Sequence, residues 1–277
     1  MRCRRQPLAG VLPLLALLAA AAAAAPGTNA PASSAAPTNG PDFWFPVGEE
    51  LRYSVSWGIL PVGETSAATS WVQTNGQRRL LIAYRARSNR VLRQIYPVDD
   101  HMTSLVDPDG FRSVEFRMVM REGRHNRHEV TTFDYPGGKA VWAPVSGNKT
   151  RTFSIDADTH DLLALMFYAR RDGFRSGSNR TFRALADGKV RDLPVDVDGI
   201  ENVRVPGYGK VECLRLKPRL EFEGFFVSTG GITAWVSNDR HCICTRANVS
   251  IPVGSITVEL EEVRRPDGRP PWPKRSG

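Results

Sequence analysis

The residues with chemistry to offer fall into a few groups. His241-Cys242-Ile243-Cys244, with Cys213 upstream, supplies three thiols and an imidazole, the donor types of a tetrahedral zinc site. The one-residue gap puts Cys242 and Cys244 on one face of a strand, roughly 7 Å apart, whereas structural zinc sites use a two-residue gap in a turn. No metal site is therefore assigned. A disulfide from Cys213 to Cys242 or Cys244 is expected instead, with buried free thiols the alternative. Asp99, Asp100, His101 and Asp107 form an acidic cluster, and Glu49 and Glu64 are two further carboxylates that a hydrolase could pair. His160 and Asp161 are neighbours on a predicted helix, where adjacent side chains diverge, so the two form no dyad alone. His125 and His128 flank an arginine-rich hairpin tip that reads as solvated. The chain has no Gly-x-Ser-x-Gly, no His-Glu-x-x-His and no phosphate-cradling loop, and no catalytic residue or cofactor is assigned.

A second group is apolar. Tyr53 and Trp57, Tyr84, and Phe116, Met118 and Met120 sit at alternating positions of predicted strands. On one face they would line a ligand-binding pocket, with methionines giving it an adaptable wall; the plain alternative is a packed core.

The elements that must position these groups are mostly strands. Leu51, Tyr53, Val55 and Trp57 alternate with polar residues, a period of two that marks a strand with one buried face. Similar runs recur at intervals of about 10 to 15 residues, with turn signals at Gly58–Gly63, Asn75-Gly76, Asp107–Gly110 and Pro136–Gly138. Lys189–Val197 and Gly199–Val205 read as two strands, and His241–Ala247 as another. One helix is predicted over Asp158–Arg171, capped by Asp158 or Thr159, with Arg170 and Arg171 at its negative end. A shorter helical turn is predicted at Val91–Tyr96. More than ten antiparallel strands in one block must curl. The fold class is mainly β: a twisted, partly closed antiparallel barrel, lipocalin-like or lipoprotein-carrier-like, with one amphipathic helix.

The ends read differently. Arg2, Arg4 and Arg5 precede an apolar run from Pro7 to Ala25, so residues 1–25 are expected to be a cleaved signal peptide. Residues 26–41 read as a flexible linker, 42–263 as one β-rich domain, and 264–277 as a basic, proline-rich, disordered tail. Of the formal net charge of +8, the first five residues carry +3 and the tail +4, which leaves +1 for the domain. A nearly neutral domain argues against nucleic-acid binding.

Phe45 to Gly63, FPVGEELRYSVSWGILPVG, resembles exported bacterial proteins catalogued as domain of unknown function 3108. Tyr96–Asp100 with Ser104–Asp107, Asp161–Leu163 with Tyr168 and Arg170, and Ala234–Asp239 with Ile251–Ile256 agree with it. The resemblance implies an exported β-rich protein of the envelope of a Gram-negative-type bacterium and assigns no catalytic residue. The expected function is binding of a lipid or other apolar ligand, or of an envelope protein partner, by a protein not embedded in the membrane once its signal is cleaved. The alternative is a polysaccharide or peptidoglycan hydrolase working through paired carboxylates.

Overall fold

The computed structural model describes residues 43–186, 188–219, 231–251 and 254–274. The expected signal peptide and linker lie outside the described residues.

The strands are β1 (Glu50–Trp57), β2 (Leu60–Thr74), β3 (Gln77–Ser88), β4 (Asp99–Asp107), β5 (Arg112–Glu122), β6 (His125–Asp134), β7 (Lys139–Pro144) and β8 (Arg151–Ser154). After β9 (Thr159–Asp161) and helix α1 (Leu162–Tyr168) come β10 (Asn179–Ala186), β11 (Lys189–Val205), β12 (Gly209–Pro218), β13 (Ile232–Ser237), β14 (Cys244–Ser250) and β15 (Ser255–Arg264). All belong to one sheet, built of two meanders, β1 to β8 and β9 to β15, joined where β1 pairs antiparallel with β15. Only β9 and β10, among these strands, run parallel. The sheet does not close by hydrogen bonds, because β8 and β9 are its two ends. It curls until β9 lies against β5 and β8 approaches β11.

Period-two alternation carries through to burial. In β4 every second residue, Asp100, Met102, Ser104 and Val106, is buried. In β5 an irregularity between Leu105 and Val106 of its partner skips Val114, so that Ser113 and then Phe116, Met118, Met120 and Glu122 share the inner face. Such a bulge shifts side-chain parity by one. The Leu92–Gln94 3-10 turn forms inside the predicted segment.

The helix is shorter than predicted. Thr159–Asp161 pairs with Arg183–Leu185 as β9, so the cap moves to Asp161. Its carboxylate accepts from Leu163 N and Ala164 N on one oxygen and from Ser104 Oγ and Ser113 Oγ, at 2.7 and 2.6 Å, on the other. This one side chain ties the helix start to β4 and β5. Leu163, Ala164 and Phe167 pack against the β2–β5 half of the core and Leu165 against the β10–β15 half, so the helix fills the curl.

Three other segments differ from the sequence reading. The first turn contracts to Gly58-Ile59, because β2 begins at Leu60. β11 is one strand, with a register shift between Val197 and Gly199 absorbing the break. The strand expected from His241 starts only at Cys244: Asp239 Oδ1 accepts from Ser237 Oγ, His241 N and Cys242 N and holds a turn there. The tail expected to be disordered is tied down in its described part. Arg265 reaches Glu49, and Trp272 donates to Asp239 Oδ2 at 2.6 Å while packing on Tyr208. An aromatic ring and a buried ion pair outweigh the composition-based expectation.

Candidate functional site

The six apolar residues expected to line one pocket do not meet in one. Tyr53 is buried in the β10–β15 half of the core, where its hydroxyl donates to the Cys244 carbonyl at 2.5 Å. Tyr84 and Met120 are buried in the other half, with Phe116 and Met118 packed partly buried against it. Trp57 stands at the far end of β1, partly exposed. The helix occupies the volume into which these side chains would have opened.

The acidic candidates separate as well. Asp99 and His101 face out, and Asp99 is ringed by Arg85, Arg87 and Arg121. Asp107 pairs with Arg79 at 2.6 Å. The two aspartates lie at opposite ends of β4, roughly 27 Å apart at strand rise, far beyond the reach of a hydrolytic pair. Glu64 is exposed, whereas Glu49 is buried. His160 is buried, bonded through Nδ1 to the Asp158 carbonyl and stacked on Tyr168, away from any dyad with Asp161.

The expected disulfide is not formed: Cys213, Cys242 and Cys244 are buried free thiols. Cys213 on β12 pairs with Ser237, and Cys244 on β14 with Val236, so β13 stands between them. Two strand spacings are about 9 to 10 Å, and a bridge needs Cα atoms within about 7 Å. Cys242 Sγ turns to the Asp239 carbonyl instead. Burial raises the Cys213 thiol to about 11 and Cys244 to about 12.

What the fold does assemble is a cleft of about 960 Å³ where β1 begins. Phe43, Trp44, Phe45 and Trp71 supply its aromatic wall, and Arg78, Arg170, Arg171, Arg240 and Arg265 its charge, against Asp172 and Asp239. Phe43 stacks on Phe45 and Trp71, Trp44 donates Nε1 to the Phe167 carbonyl at 2.6 Å, and Arg78 lies 3.9 Å over the Trp71 ring. Beneath the wall, Glu49 joins two arginines: Arg170 Nη1 at 2.7 Å and Arg265 Nη2 at 3.0 Å. The Arg170 and Glu49 side chains are only 3% and 0% exposed. Arg170 Nε donates to the His241 carbonyl, and its Nη2 has no hydrogen-bond partner among the described residues. One carboxylate facing two buried guanidiniums leaves a net positive floor. Burial pushes the Asp239 carboxyl up, but bonds from Trp272, the His241 N–H and Ser237 outweigh this and hold it ionised below its usual range. Burial and Arg265 lower the pKa of His241.

Pro46-Val47-Gly48-Glu49 and Pro61-Val62-Gly63-Glu64 repeat the same four residues and divide the work. Gly48, at φ 100°, turns the chain so that Glu49 enters the floor. Gly63 lies within β2, where a Cβ would stand 2.2 Å from the Arg87 carbonyl oxygen.

With the geometry described, the family model "Protein of unknown function (DUF3108)" matches residues 52–261. The chain belongs to the DUF3108 family. No curated protein matches the sequence. Among solved structures, the DUF3108 chain is similar to the beta-barrel-like DUF1849 protein from Brucella abortus, with 13% identity and a TM-score of 0.49, over 78% of this chain and 97% of that one. It is also similar to the hypothetical protein CT021 from Chlamydia trachomatis, with 8% identity and a TM-score of 0.34, over 82% and 92% of the two chains.

A carboxyl pair lies at the opposite end of the sheet. Asp100 and Glu122 are both fully buried on the inner faces of β4 and β5. Burial raises Glu122 to about 8, helped by the adjacent Asp100, and raises Asp100 to about 6. The two carboxyls are neighbours on paired strands, and Asp100 Oδ2 and both Glu122 oxygens have no hydrogen-bond partner among the described residues. Two neighbouring buried carboxyls resist ionising together, so the pair favours holding a proton. Sequence reading placed Asp100 in an acidic cluster with Asp99, His101 and Asp107 and missed Glu122. The signal was present: Glu122 continues the Phe116–Met118–Met120 alternation. The Phe43-Trp44-Phe45 triplet was also missed, because only Phe45 entered the family-like stretch.

Proposed function

We propose that this is an exported envelope protein that binds an anionic amphiphile in the cleft at the start of β1. The apolar chain lies on Phe43, Trp44 and Trp71, and the acid group faces Arg78, Arg171 and Arg240. Export rests on the basic and then apolar start of the sequence. Among the described residues no helix is long and apolar enough to cross a membrane. The observation that carries the binding reading is the coincidence, in one open cleft, of a stacked aromatic wall with Arg78, Arg171 and Arg240 over a buried Glu49–Arg170–Arg265 floor. A site of this kind takes an apolar body by area and an anion by charge-assisted bonds.

The test is titration with oleate and with oleyl alcohol, read by tryptophan fluorescence and by native mass spectrometry. Oleate is expected to bind and the uncharged alcohol to bind at least tenfold more weakly. Arg78→Glu/Arg240→Glu should lose oleate at an unchanged melting temperature. Equal affinity for both ligands, or a double variant that binds oleate normally, would refute the reading.

A further inference from the structure

The other end of the sheet carries a surface that the cleft does not use. The β1–β2 turn, the β3–β4 loop and the β5–β6 turn all emerge there. Asn89 N and Nδ2 bond to the Val62 and Pro61 carbonyls, and Gly123 N to the Pro97 carbonyl, which locks the three together. From this rim project Ile59, Leu60, Val91 and Ile95, with exposures of 96%, 60%, 73% and 81%, beside partly exposed Trp57. Isolated exposed apolar residues need no explanation, but five on one rim do.

The charge within these three segments has one sign. Arg90, Arg93 and Arg124 are exposed, and none has an ion-pair partner among the described residues. Residues 55–63, 88–98 and 123–128 contain no aspartate or glutamate. Other exposed arginines on this sheet are matched with acids, as Arg183 is with Asp156 and Asp192, whereas Arg112, Arg151 and Arg204, each on a different strand, have no ion-pair partner among the described residues. An indole and branched aliphatics ringed by unmatched guanidiniums complement a surface that is anionic above and hydrocarbon below. A protein partner would need a shaped apolar pocket for each spike, whereas a bilayer accepts separate spikes without shape matching.

We infer that this rim is a docking edge for an anionic phospholipid surface, with Ile59, Leu60, Val91 and Ile95 entering the headgroup region and Arg90, Arg93 and Arg124 facing lipid phosphates. β1 separates this edge from the cleft by roughly 25 Å, so the cleft stays open to the aqueous side when the rim is docked.

The experiment is flotation of the full chain with phosphatidylcholine vesicles, with and without phosphatidylglycerol. Binding is expected on the anionic vesicles. Ile59→Glu/Leu60→Glu should weaken it at least tenfold. Arg90→Glu/Arg93→Glu should weaken it by roughly tenfold or more on anionic vesicles only. Val145→Glu and Ile200→Glu, which alter exposed apolar residues elsewhere, should change nothing. Residues 1–42 contain no tryptophan, so a vesicle-induced blue shift that disappears in Trp57→Phe places the contact at the rim rather than at the N-terminus. Unchanged flotation of Ile59→Glu/Leu60→Glu would overturn the inference. So would loss of an oligomer by that variant in sedimentation velocity without any vesicle binding, which would assign the rim to protein contact. Oleate binding by the rim variants should be normal, which keeps this test separate from that of the cleft.

Discussion

Replacing Glu122 by Gln should remove a defined part of the pH dependence of folding. Glu122 is fully buried beside Asp100, and its carboxyl is raised from 4.5 to about 8, chiefly by burial. The unfolded chain releases this proton near pH 4.5, and the folded protein keeps it until about pH 8. Between those values the folded state binds one more proton, so each pH unit gained costs about 1.4 kcal/mol of stability. The contribution is whole below pH 4.5 and is lost as pH rises through about 8. Its upper limit is about 5 kcal/mol, reduced by water reaching the ionised pair. Asp100, raised to about 6, acts in the same direction at lower pH. Gln keeps the size and polarity of Glu122, but it has no proton to lose. Urea unfolding at intervals from pH 5 to 9 measures the effect. The stability difference between Glu122→Gln and the parent should grow in the variant's favour by roughly 2 to 4 kcal/mol across that range. Subtracting the two curves cancels the groups that do not interact with Glu122, and leaves Glu122 with the change it makes to Asp100. A difference that stays flat, or that falls with pH, would refute the reading that burial keeps Glu122 protonated.

Further outcomes follow from single contacts. Glu49→Ala strands Arg170 and Arg265 in the floor of the cleft and should cost about 3 to 5 kcal/mol by urea unfolding. Gly63→Ala drives a Cβ into the Arg87 carbonyl and should cost about 1 to 3 kcal/mol, seen as a lower melting temperature; an unchanged value would mean that β2 and β3 do not approach so closely there. Asp161→Ala removes the cap of α1 and leaves Ser104 and Ser113 without their acceptor, a loss of about 2 to 4 kcal/mol that should appear with reduced helical signal in circular dichroism. Cys213 and Cys244 should resist iodoacetamide in the folded protein and react on unfolding, as peptide mapping will show; a disulfide between them would contradict the β12–β13–β14 order.

Much of the sheet was legible because side-chain direction in a strand is a local property. Tyr53, Tyr84, Met118 and Met120 could be placed on inner faces from period two alone, and the turns at Asn75-Gly76 and Gly137-Gly138 from glycine's tolerance of positive φ. The helix was legible as a helix, but its start was not. Asp158, Thr159 and Asp161 all look like caps along the chain, and only the pairing of β9 with β10 and the hydroxyls of Ser104 and Ser113 select Asp161.

The cleft was legible only in pieces. Glu49 entered the sequence reading as a carboxylate that a hydrolase could pair, and Arg170 as a helix-end charge. Glu49 and Arg265 are 216 positions apart, and they meet only because β1 pairs with β15. Whether the barrel is open or filled was likewise undecided by pattern, because an inner face looks the same when it lines a cavity and when it packs against a helix. By itself, the sequence determined the strands, the curled antiparallel class and the family. The tertiary structure decided where α1 sits, which acids are buried and paired, and which end of the sheet is arginine-floored and which is spiked with apolar residues. The reason is physical: alternation and turn chemistry act over a few residues, whereas burial and ion pairing depend on contacts that only the folded chain makes.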